Sequence, residues 1–279
     1  MLLKVHPHLE IHINIIKTQG DLNLDKPLYE IGGKSIFTAE LEDVLLNHHI
    51  DLAVHSLKDL PSTMENGLLY IGSPKREDAR DVFVSNKWNM LSEVPSDGTI
   101  ATGSIRRKAQ LLHQHPDLHI LGIRGNIDTR LRKLDQNKWD GIITAASALH
   151  RLGLQNRISQ YLDPENFVPA GGQGALGLEI VIDREDIKQI VSDIIDTNTT
   201  KCCQAERLYL TQMGGDCFSP IGCWARMENG ALHITGYSSS IDGSRYLIKT
   251  VQGDIIEAEK LALKLADTMI EHDARELMN

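Results

Sequence analysis

The chain has 279 residues, of which 41% are hydrophobic and 24% are charged, and its formal net charge is −9. This composition is typical of a globular protein of roughly two domains, or three small ones, and it excludes disordered, collagen-like and low-complexity classes. No apolar run approaches the roughly 18 residues that a membrane span needs. The N-terminus has neither a secretory nor a transit pattern, so we expect a cytoplasmic protein that does not enter a membrane.

The charge is unevenly distributed along the chain. Between residues 101 and 157, ten Lys or Arg stand against four Asp, which leaves this stretch at +6 and the remainder at −15. A basic region in an acidic protein indicates a site for an anionic ligand, although a solvated basic face is the alternative interpretation. The negative total disfavours nucleic-acid binding.

The first part of the chain alternates between strand and helix patterns. Alternation of apolar and polar residues predicts a strand over residues 9–16, an apolar stripe predicts a helix over 38–47, and a short apolar strand follows at 50–54. The same alternation continues through a strand at 99–101, a helix at 105–114, a strand at 120–123, a helix from 127, a strand at 141–145 and a helix at 147–152. Strands that alternate with helices predict a mostly parallel, doubly wound α/β sheet.

The pattern changes after residue 180. Two helices at 186–195 and 201–213, three strands at 221–227, 231–237 and 245–250, and a final helix with Leu261, Leu265 and Met269 on one face follow in order. This succession predicts a small α+β domain of some 80 residues.

Polar and charged groups follow several of the predicted strands, in HSLKD (55–59), TGSIRR (102–107), RGN (124–126) and SALHR (147–151). Ligands of open α/β sheets bind at the carboxyl ends of strands, and arginine forks suit carboxylates. Asp59 could be a cap or a salt-bridge partner, or it could stabilise a developing cation. At 4 Å and an effective dielectric near 20 that attraction is roughly 4 kcal/mol.

Cys217 lies in the glycine-flanked loop GGDCFSPIG, where a thiol is accessible for covalent attachment. The four cysteines favour neither a disulfide framework nor a zinc site. The Gly-rich segment PAGGQGALGLE lacks the residues of a phosphate loop and of a dinucleotide fold, which disfavours ATP and NAD. We interpret it as a crossover between domains.

Together these motifs resemble the porphobilinogen deaminase (hydroxymethylbilane synthase) family. The matching stretches occur in the family's order over nearly the whole chain: IGGKSIF, DLAVHSLKDLP, REDARDVFVS, ATGSIRRKAQL, IRGNIDTRLRKLD, SALHRLGL, PAGGQGALGLE and AERLYLTQMGGDCFSPIG. The resemblance implies a transferase of heme and porphyrin biosynthesis that joins four porphobilinogen molecules into hydroxymethylbilane and releases ammonia. It also implies a dipyrromethane cofactor, self-assembled from porphobilinogen and held by a thioether, and it implies no metal.

The resemblance assigns roles to particular residues. Asp59 matches the catalytic aspartate, and Cys217 matches the cysteine that holds the cofactor covalently. Positions matching those that bind the acetate and propionate groups of the cofactor are Ser56, Lys58, Thr102, Ser104, Arg106, Arg107, Arg124 and Arg130. Positions implied to bind substrate or to lie close to it are Arg151, Lys34 and Phe37 in a loop over the site, and Gln173 in the crossover.

The family fold implies two α/β domains like the halves of a periplasmic binding protein, and a small α+β C-terminal domain. Carried onto this chain, the first domain covers residues 1–75 and 173–192, the second 76–172, and the third 196–279. We expect a monomer whose partner is porphobilinogen, with no nucleic acid.

The chain departs from the family pattern in four places. An Arg-x-Ser strand and helix expected before Met1 is absent, so we expect exposed apolar surface and either a truncated or an impaired form. Gln19, Ser35 and Asp216 replace an Arg, a Gly and a Gly of the family, and Asp216 adds negative charge beside an anionic cofactor. A two-lobed anionic solute-binding protein is the main alternative function, although it gives Cys217 no role.

Overall fold

The computed structural model describes residues 1–18, 38–215 and 219–278. Its helices are α1 (Leu2–Val5), α2 (Ala39–Leu46), α3 (Ile105–Gln114), α4 (Ile127–Gln136), α5 (Ala146–Arg151), α6 (Glu185–Ser192), α7 (Thr197–Met213), α8 (Ala258–Glu271) and α9 (Ala274–Leu277). Its strands are β1 (Ala53–Ser56), β2 (Leu68–Gly72), β3 (Asp81–Val84), β4 (Thr99–Ala101), β5 (His119–Leu121), β6 (Gly141–Ala145), β7 (Gln160–Tyr161), β8 (Leu176–Val181), β9 (Ile221–Glu228), β10 (Ala231–Ser239) and β11 (Tyr246–Gly253). Short 3₁₀ turns lie at Leu57–Asp59, Leu91–Glu93, Gln155–Arg157 and Ile255–Glu257.

The first α/β domain contains a described sheet in the order β1-β8-β2, with both pairings antiparallel. The central strand β8 is reached only after the chain has passed through the second domain. Helix α2 packs on this sheet through Leu45, which is buried with Ala53, Leu68 and Val181. The sheet therefore holds together two parts of the chain that are distant in sequence.

The second α/β domain contains a five-stranded sheet in the order β5-β4-β6-β3-β7. Strand β4 is parallel to β5 and β6, whereas β3 is antiparallel to β6 and β7. Apolar clusters cover both faces of this sheet, one around Ile142 and Leu149 and the other around Phe83 and Ile143. The sheet is therefore buried on both sides, as in α/β proteins.

The C-terminal domain packs α7 and α8 against the antiparallel sheet β11-β10-β9. Leu261, Leu265 and Met269, the predicted apolar face of the final helix, are buried in its core with Tyr209. The predicted fold class is confirmed: two α/β domains precede a small α+β domain. The exact domain boundaries stay predictions.

Two expectations about strands are wrong. Residues 9–16 form no strand, and Ile13 and Ile15 are 85% and 88% exposed. An alternating segment forms a strand only when it pairs with another strand. Among the described residues, β1 is an edge strand, and residues 9–16 do not pair with its open edge. The described sheets are also not mostly parallel, because β8 and β3 enter their sheets in the reverse direction.

The helix predictions for the second domain are confirmed, and α3 has the predicted bounds. Ser104 caps this helix, since its Oγ accepts the Arg107 N–H at 3.4 Å. Within residues 1–18, 38–215 and 219–278, no helix combines the length and the apolar character needed to cross a membrane.

Candidate active site

The site begins where β1 ends. The backbone turns through the 3₁₀ segment Leu57–Asp59, which we call the catalytic turn. Leu57 is buried and its N–H donates to the Ala175 carbonyl at 3.1 Å, so the turn is anchored on the segment that leads into β8. This anchoring leaves Lys58 and Asp59 at the strand end that the sequence predicted.

Asp59 keeps access to solvent, yet many protein atoms surround it. This partial desolvation raises the pKa of Asp59, and the positive charges of Lys58, Arg130 and Arg107 oppose the rise. Arg107 and Arg130 belong to the second domain, whereas Asp59 belongs to the first. The carboxylate therefore lies at the junction of the two α/β domains, facing cations from both.

Burial acts strongly on two of the cations, Lys58 and Arg130. Burial lowers the pKa of Lys58 to about 8, an effect that the neighbouring Asp59 only partly offsets and that Arg107 reinforces. Arg130 is in a similar position, because burial and the nearby Arg107 lower the pKa of its guanidinium to about 10. Positive charge is concentrated here at a free-energy cost that an anionic ligand would reduce.

Arg124 and Arg130 are positioned by the loop after β5 and by the first turn of α4. Asn126 caps this helix by accepting the Thr129 N–H at 3.0 Å. The Arg130 Nε donates to the Gly125 carbonyl at 2.7 Å. Arg124 acts electrostatically on Arg130, which places the two predicted arginines near one another.

Arg106 and Arg107 have different surroundings although they are adjacent. Both are almost fully buried and both pair with Asp81, at 2.8 and 2.7 Å. Arg106 also donates to the Val168 carbonyl at 2.6 Å, whereas Arg107 acts on Asp59 and Lys58. The structure thus brings Arg107 to the site, and Arg106 is held in the interior; its predicted contact with cofactor stays a prediction.

Gln173 completes this buried group, which we call the Asp81 cluster (Asp81, Arg106, Arg107 and Gln173). Its side-chain amide donates to Asp81 at 2.9 Å and accepts from Arg107 at 3.1 Å. Burial alone would raise the pKa of Asp81, but the two arginines outweigh it and lower the pKa to about 2. Gln173 therefore helps to hold the Arg107 guanidinium in position through this hydrogen bond.

The remaining described predicted residues divide between local structure and the site. Thr102 is buried and its Oγ1 accepts the Ser104 N–H at 3.3 Å, so these two hydroxyls shape the start of α3. Ser56 is exposed at the end of β1, directly before the catalytic turn. Arg151, at the end of α5, donates to the Gly174 carbonyl at 2.8 Å and lies beside the crossover.

Several predicted residues lie outside the described residues, namely Cys217, Lys34 and Phe37, as do the departures Gln19, Ser35 and Asp216. Their roles stay predictions. The residues on either side of the cysteine loop are described: α7 ends at Met213 with Gly214 in the left-handed conformation, and β9 begins at Ile221.

Sequence reasoning missed two acidic partners. Asp81 was overlooked because it opens the apolar strand DVFV, where an ionised residue is unexpected unless paired. Glu179, inside the apolar strand β8, is fully buried and its Oε2 contacts the Nε2 of His55 at 2.8 Å. His55 in turn is one of the groups that act electrostatically on Asp59. A charged residue inside an apolar run is the signal that could have identified both.

Two surface cavities lie elsewhere, between the second and third domains. One, of about 310 Å³, is lined by residues such as His113 and Tyr246, and the other, of about 520 Å³, by residues such as Arg226 and His233. Neither contains a predicted site residue. The predicted carboxylate Asp59 and the cations near it lie at the domain junction instead.

The donor set at the junction fits a polycarboxylate. An ammonium and guanidinium groups from two domains converge on one carboxylate, in an environment that raises the free-energy cost of their charges. Dipyrromethane bears acetate and propionate groups, which such donors bind. Lys58, Arg107, Arg124 and Arg130 are the residues that would hold it.

Comparison with known proteins gives the family. Residues 1–189 match the family model described as porphobilinogen deaminase, dipyromethane cofactor binding domain, and residues 200–271 match the porphobilinogen deaminase C-terminal domain. The porphobilinogen deaminase of Chromobacterium violaceum is 43% identical over 277 residues, which are 99% of this chain and 90% of that protein.

Two further relatives carry the same family name. The porphobilinogen deaminases of Clostridioides difficile and Syntrophobacter fumaroxidans are 42% and 40% identical, over 96% and 98% of this chain and 90% and 88% of theirs. Among solved structures, the methionine binding protein MetQ is similar at a TM-score of 0.40 and 15% identity, over 55% of this chain and 73% of that one, which is too distant to add to the assignment. The chain belongs to the porphobilinogen deaminase family.

Proposed function

We propose that the catalytic turn and the cations facing it form the active site at which this chain, as a member of its family, joins four porphobilinogen molecules into hydroxymethylbilane with release of ammonia. The observation that carries the proposal is the position of Asp59. It is the carboxylate of the turn at the domain junction, among the described cations Lys58, Arg107 and Arg130.

Asp59, when ionised, would supply the charge that the reaction needs. When ammonia leaves, and again when the new bond forms, positive charge develops on the pyrrole nitrogen of the substrate. A carboxylate at about 4 Å in this partly desolvated setting stabilises that charge by roughly 4 kcal/mol, or about three powers of ten in rate. Desolvation raises the pKa of Asp59, and Lys58, Arg130 and Arg107 oppose that rise.

The cations have a separate task. Each pyrrole unit brings carboxylates, and Lys58, Arg107, Arg124 and Arg130 neutralise them as the chain grows. The dipyrromethane, when bound through Cys217, supplies the primer on which growth occurs. The remaining predicted arginine, Arg151, donates to the crossover at Gly174 and is proposed to bind a substrate carboxylate.

The experiment is to incubate the purified chain with porphobilinogen and measure both hydroxymethylbilane formation and intact mass. We expect turnover and a mass increase of two pyrrole units that persists on denaturation. Cys217→Ser should remove the mass increase, and Cys202→Ser, which changes a buried thiol of α7, is the matched control that should retain it.

A different pattern would contradict the proposal. An unmodified thiol together with reversible binding of porphobilinogen and no product would indicate a solute-binding protein. Turnover without any adduct in the wild-type chain would remove the covalent cofactor from the account and leave Asp59 to be tested separately.

A further inference from the structure

The Gly-rich crossover (residues 169–175) lies directly against the catalytic turn. Gly172 has a φ of +76°, and a Cβ added there would lie 3.0 Å from the Leu57 Cγ, 3.1 Å from the Lys58 amide nitrogen and 3.2 Å from the Leu57 carbonyl carbon. On the other side, Ala175 accepts the Leu57 N–H at 3.1 Å. The turn that carries Asp59 is therefore seated on backbone of the crossover rather than on side chains that could move aside.

The crossover is itself fixed by a carboxylate of the third domain. Glu206 of α7 is fully buried, and its Oε2 accepts the Gly172 N–H at 2.6 Å. Its Oε1 accepts the Ala225 N–H of β9 at 2.7 Å and pairs with Arg76 at 2.6 Å. Arg76 closes the arrangement by donating from Nε to the Gln173 carbonyl at 2.8 Å.

These contacts allow the crossover little freedom. Hydrogen bonds to an ionised carboxylate are short and strong. Removal of one partner from a buried ion pair lowers the free energy of unfolding. A displacement of Gly172 away from α7 would lengthen its hydrogen bond to Glu206. An unbroken series of hydrogen bonds therefore joins the helix of the third domain, the crossover and the catalytic turn.

We propose that Gly172 and Glu206 are positioning residues for Asp59, with Glu206 fixing the crossover and Gly172 fixing the turn. The inference rests on the proposed role of Asp59. It assigns the third domain a function besides carrying Cys217, because Glu206 lies on the helix that precedes the cysteine loop.

The test compares two glycine-to-alanine substitutions. Gly172→Ala adds a methyl group against Lys58, whereas Gly230→Ala adds one at φ +83° in a hairpin where no atom lies within 4 Å. Both suffer the backbone strain of a positive φ, but only the first touches the turn. We expect Gly172→Ala to lower kcat about 10- to 100-fold with KM changed less than about twofold, and Gly230→Ala to leave both unchanged.

A readout independent of turnover accompanies the kinetics. In Gly172→Ala the amide resonances of Lys58 and Asp59 should shift, and in Gly230→Ala they should not. Equal kcat values for the two variants, or unshifted Lys58 and Asp59 amides in Gly172→Ala, would overturn the proposal.

Amide hydrogen exchange in the wild-type chain decides the matter if Gly172→Ala does not fold. The Leu57 and Gly172 amides should have similar protection factors, because they open as one unit. A protection factor of Leu57 more than about tenfold below that of Gly172 would show that the turn is not held by the crossover. Neither the exchange nor the resonance shifts requires catalysis, so their failure is distinguishable from a failure of the proposed role of Asp59.

Discussion

The Asp81 cluster and the group around Asp59 (Lys58, Asp59, Arg107 and Arg130) contain the same kinds of residue but balance charge differently. In the first, two guanidiniums share one fully buried carboxylate, and Gln173 completes the hydrogen bonding. In the second, three cations surround one carboxylate that is open to solvent, and the pKa values of Lys58 and Arg130 are lowered. The first cluster stabilises the fold, whereas the second has positive charge available for a ligand.

Arg107 belongs to both clusters. Its Nε donates to Asp81 at 2.9 Å while its charge acts on Lys58 and Asp59. The stable cluster thus holds one of the cations of the site in place. If removal of charge had the same kind of effect in both clusters, this division between stability and ligand binding would be wrong.

The largest effect is expected from Asp81→Asn. Two buried guanidiniums would lose their counter-charge, and removal of one partner from a buried ion pair costs about 3–5 kcal/mol. Urea unfolding should show this loss of unfolding free energy. Asp186→Asn, which removes an exposed partner of Arg184, is the control and should change stability little. Equal stability of the two variants would show that the Asp81 cluster is not structural.

A smaller loss of unfolding free energy is expected at low pH. The pKa of Asp81 is about 2 in the folded chain against an ordinary 3.8, so the unfolded chain binds the proton first as pH falls. The stabilisation is complete above about pH 4 and is lost as pH falls towards 2, by roughly 2 kcal/mol. Unfolding free energies measured between pH 4.5 and 2.5 should fall less steeply in Asp81→Asn than in the wild-type chain. Parallel curves would contradict this assignment.

The two arginine environments can be separated by Arg130→Gln and Arg106→Gln. Loss of one charge-assisted bond to a ligand costs about 1.5–3 kcal/mol, so Arg130→Gln should raise KM about tenfold or more and leave the melting temperature nearly unchanged. Arg106→Gln should lower the melting temperature, because Asp81 and the Val168 carbonyl lose a donor. The reverse pattern would mean that the clusters have been assigned the wrong way round.

The smallest expected effect is the uptake of protons when substrate binds. Because the pKa of Lys58 is about 8, this side chain is partly neutral at that pH, and a bound anion favours its charged form. Porphobilinogen binding at pH 8 should therefore take up about half a proton. Calorimetry in two buffers of different ionisation enthalpy measures this number, and Lys58→Met should abolish it. Proton release on binding would contradict the account.

Local signals predicted much of the fold. The alternation of strand and helix patterns identified α3 with the correct bounds, and the apolar face of the final helix identified its buried side. The strand predicted at residues 9–16 failed because a strand depends on a neighbour that alternation cannot reveal. Sheet direction failed for a similar reason, since the entry of β8 between β1 and β2 is a property of the whole topology.

In the site, too, local motifs predicted some features, and others depend on contacts between distant parts of the chain. The motifs identified Asp59, Arg107 and Arg130 as residues that meet, although they come from different domains. They could not distinguish Arg106 from Arg107, because that difference depends on Asp81, 25 residues earlier, turning inward. Likewise Glu206 resembles any helical glutamate in sequence, and only its contacts with Gly172 and Ala225 identify it.

The most direct measurement is turnover and melting of Asp59→Asn, which keeps the size of the side chain and removes its charge. We predict that porphobilinogen turnover falls by about three powers of ten, while the melting temperature stays close to that of the wild-type chain, in contrast to Asp81→Asn. Wild-type turnover in Asp59→Asn would contradict the account, because the cations at the domain junction would then surround a carboxylate that the reaction does not use.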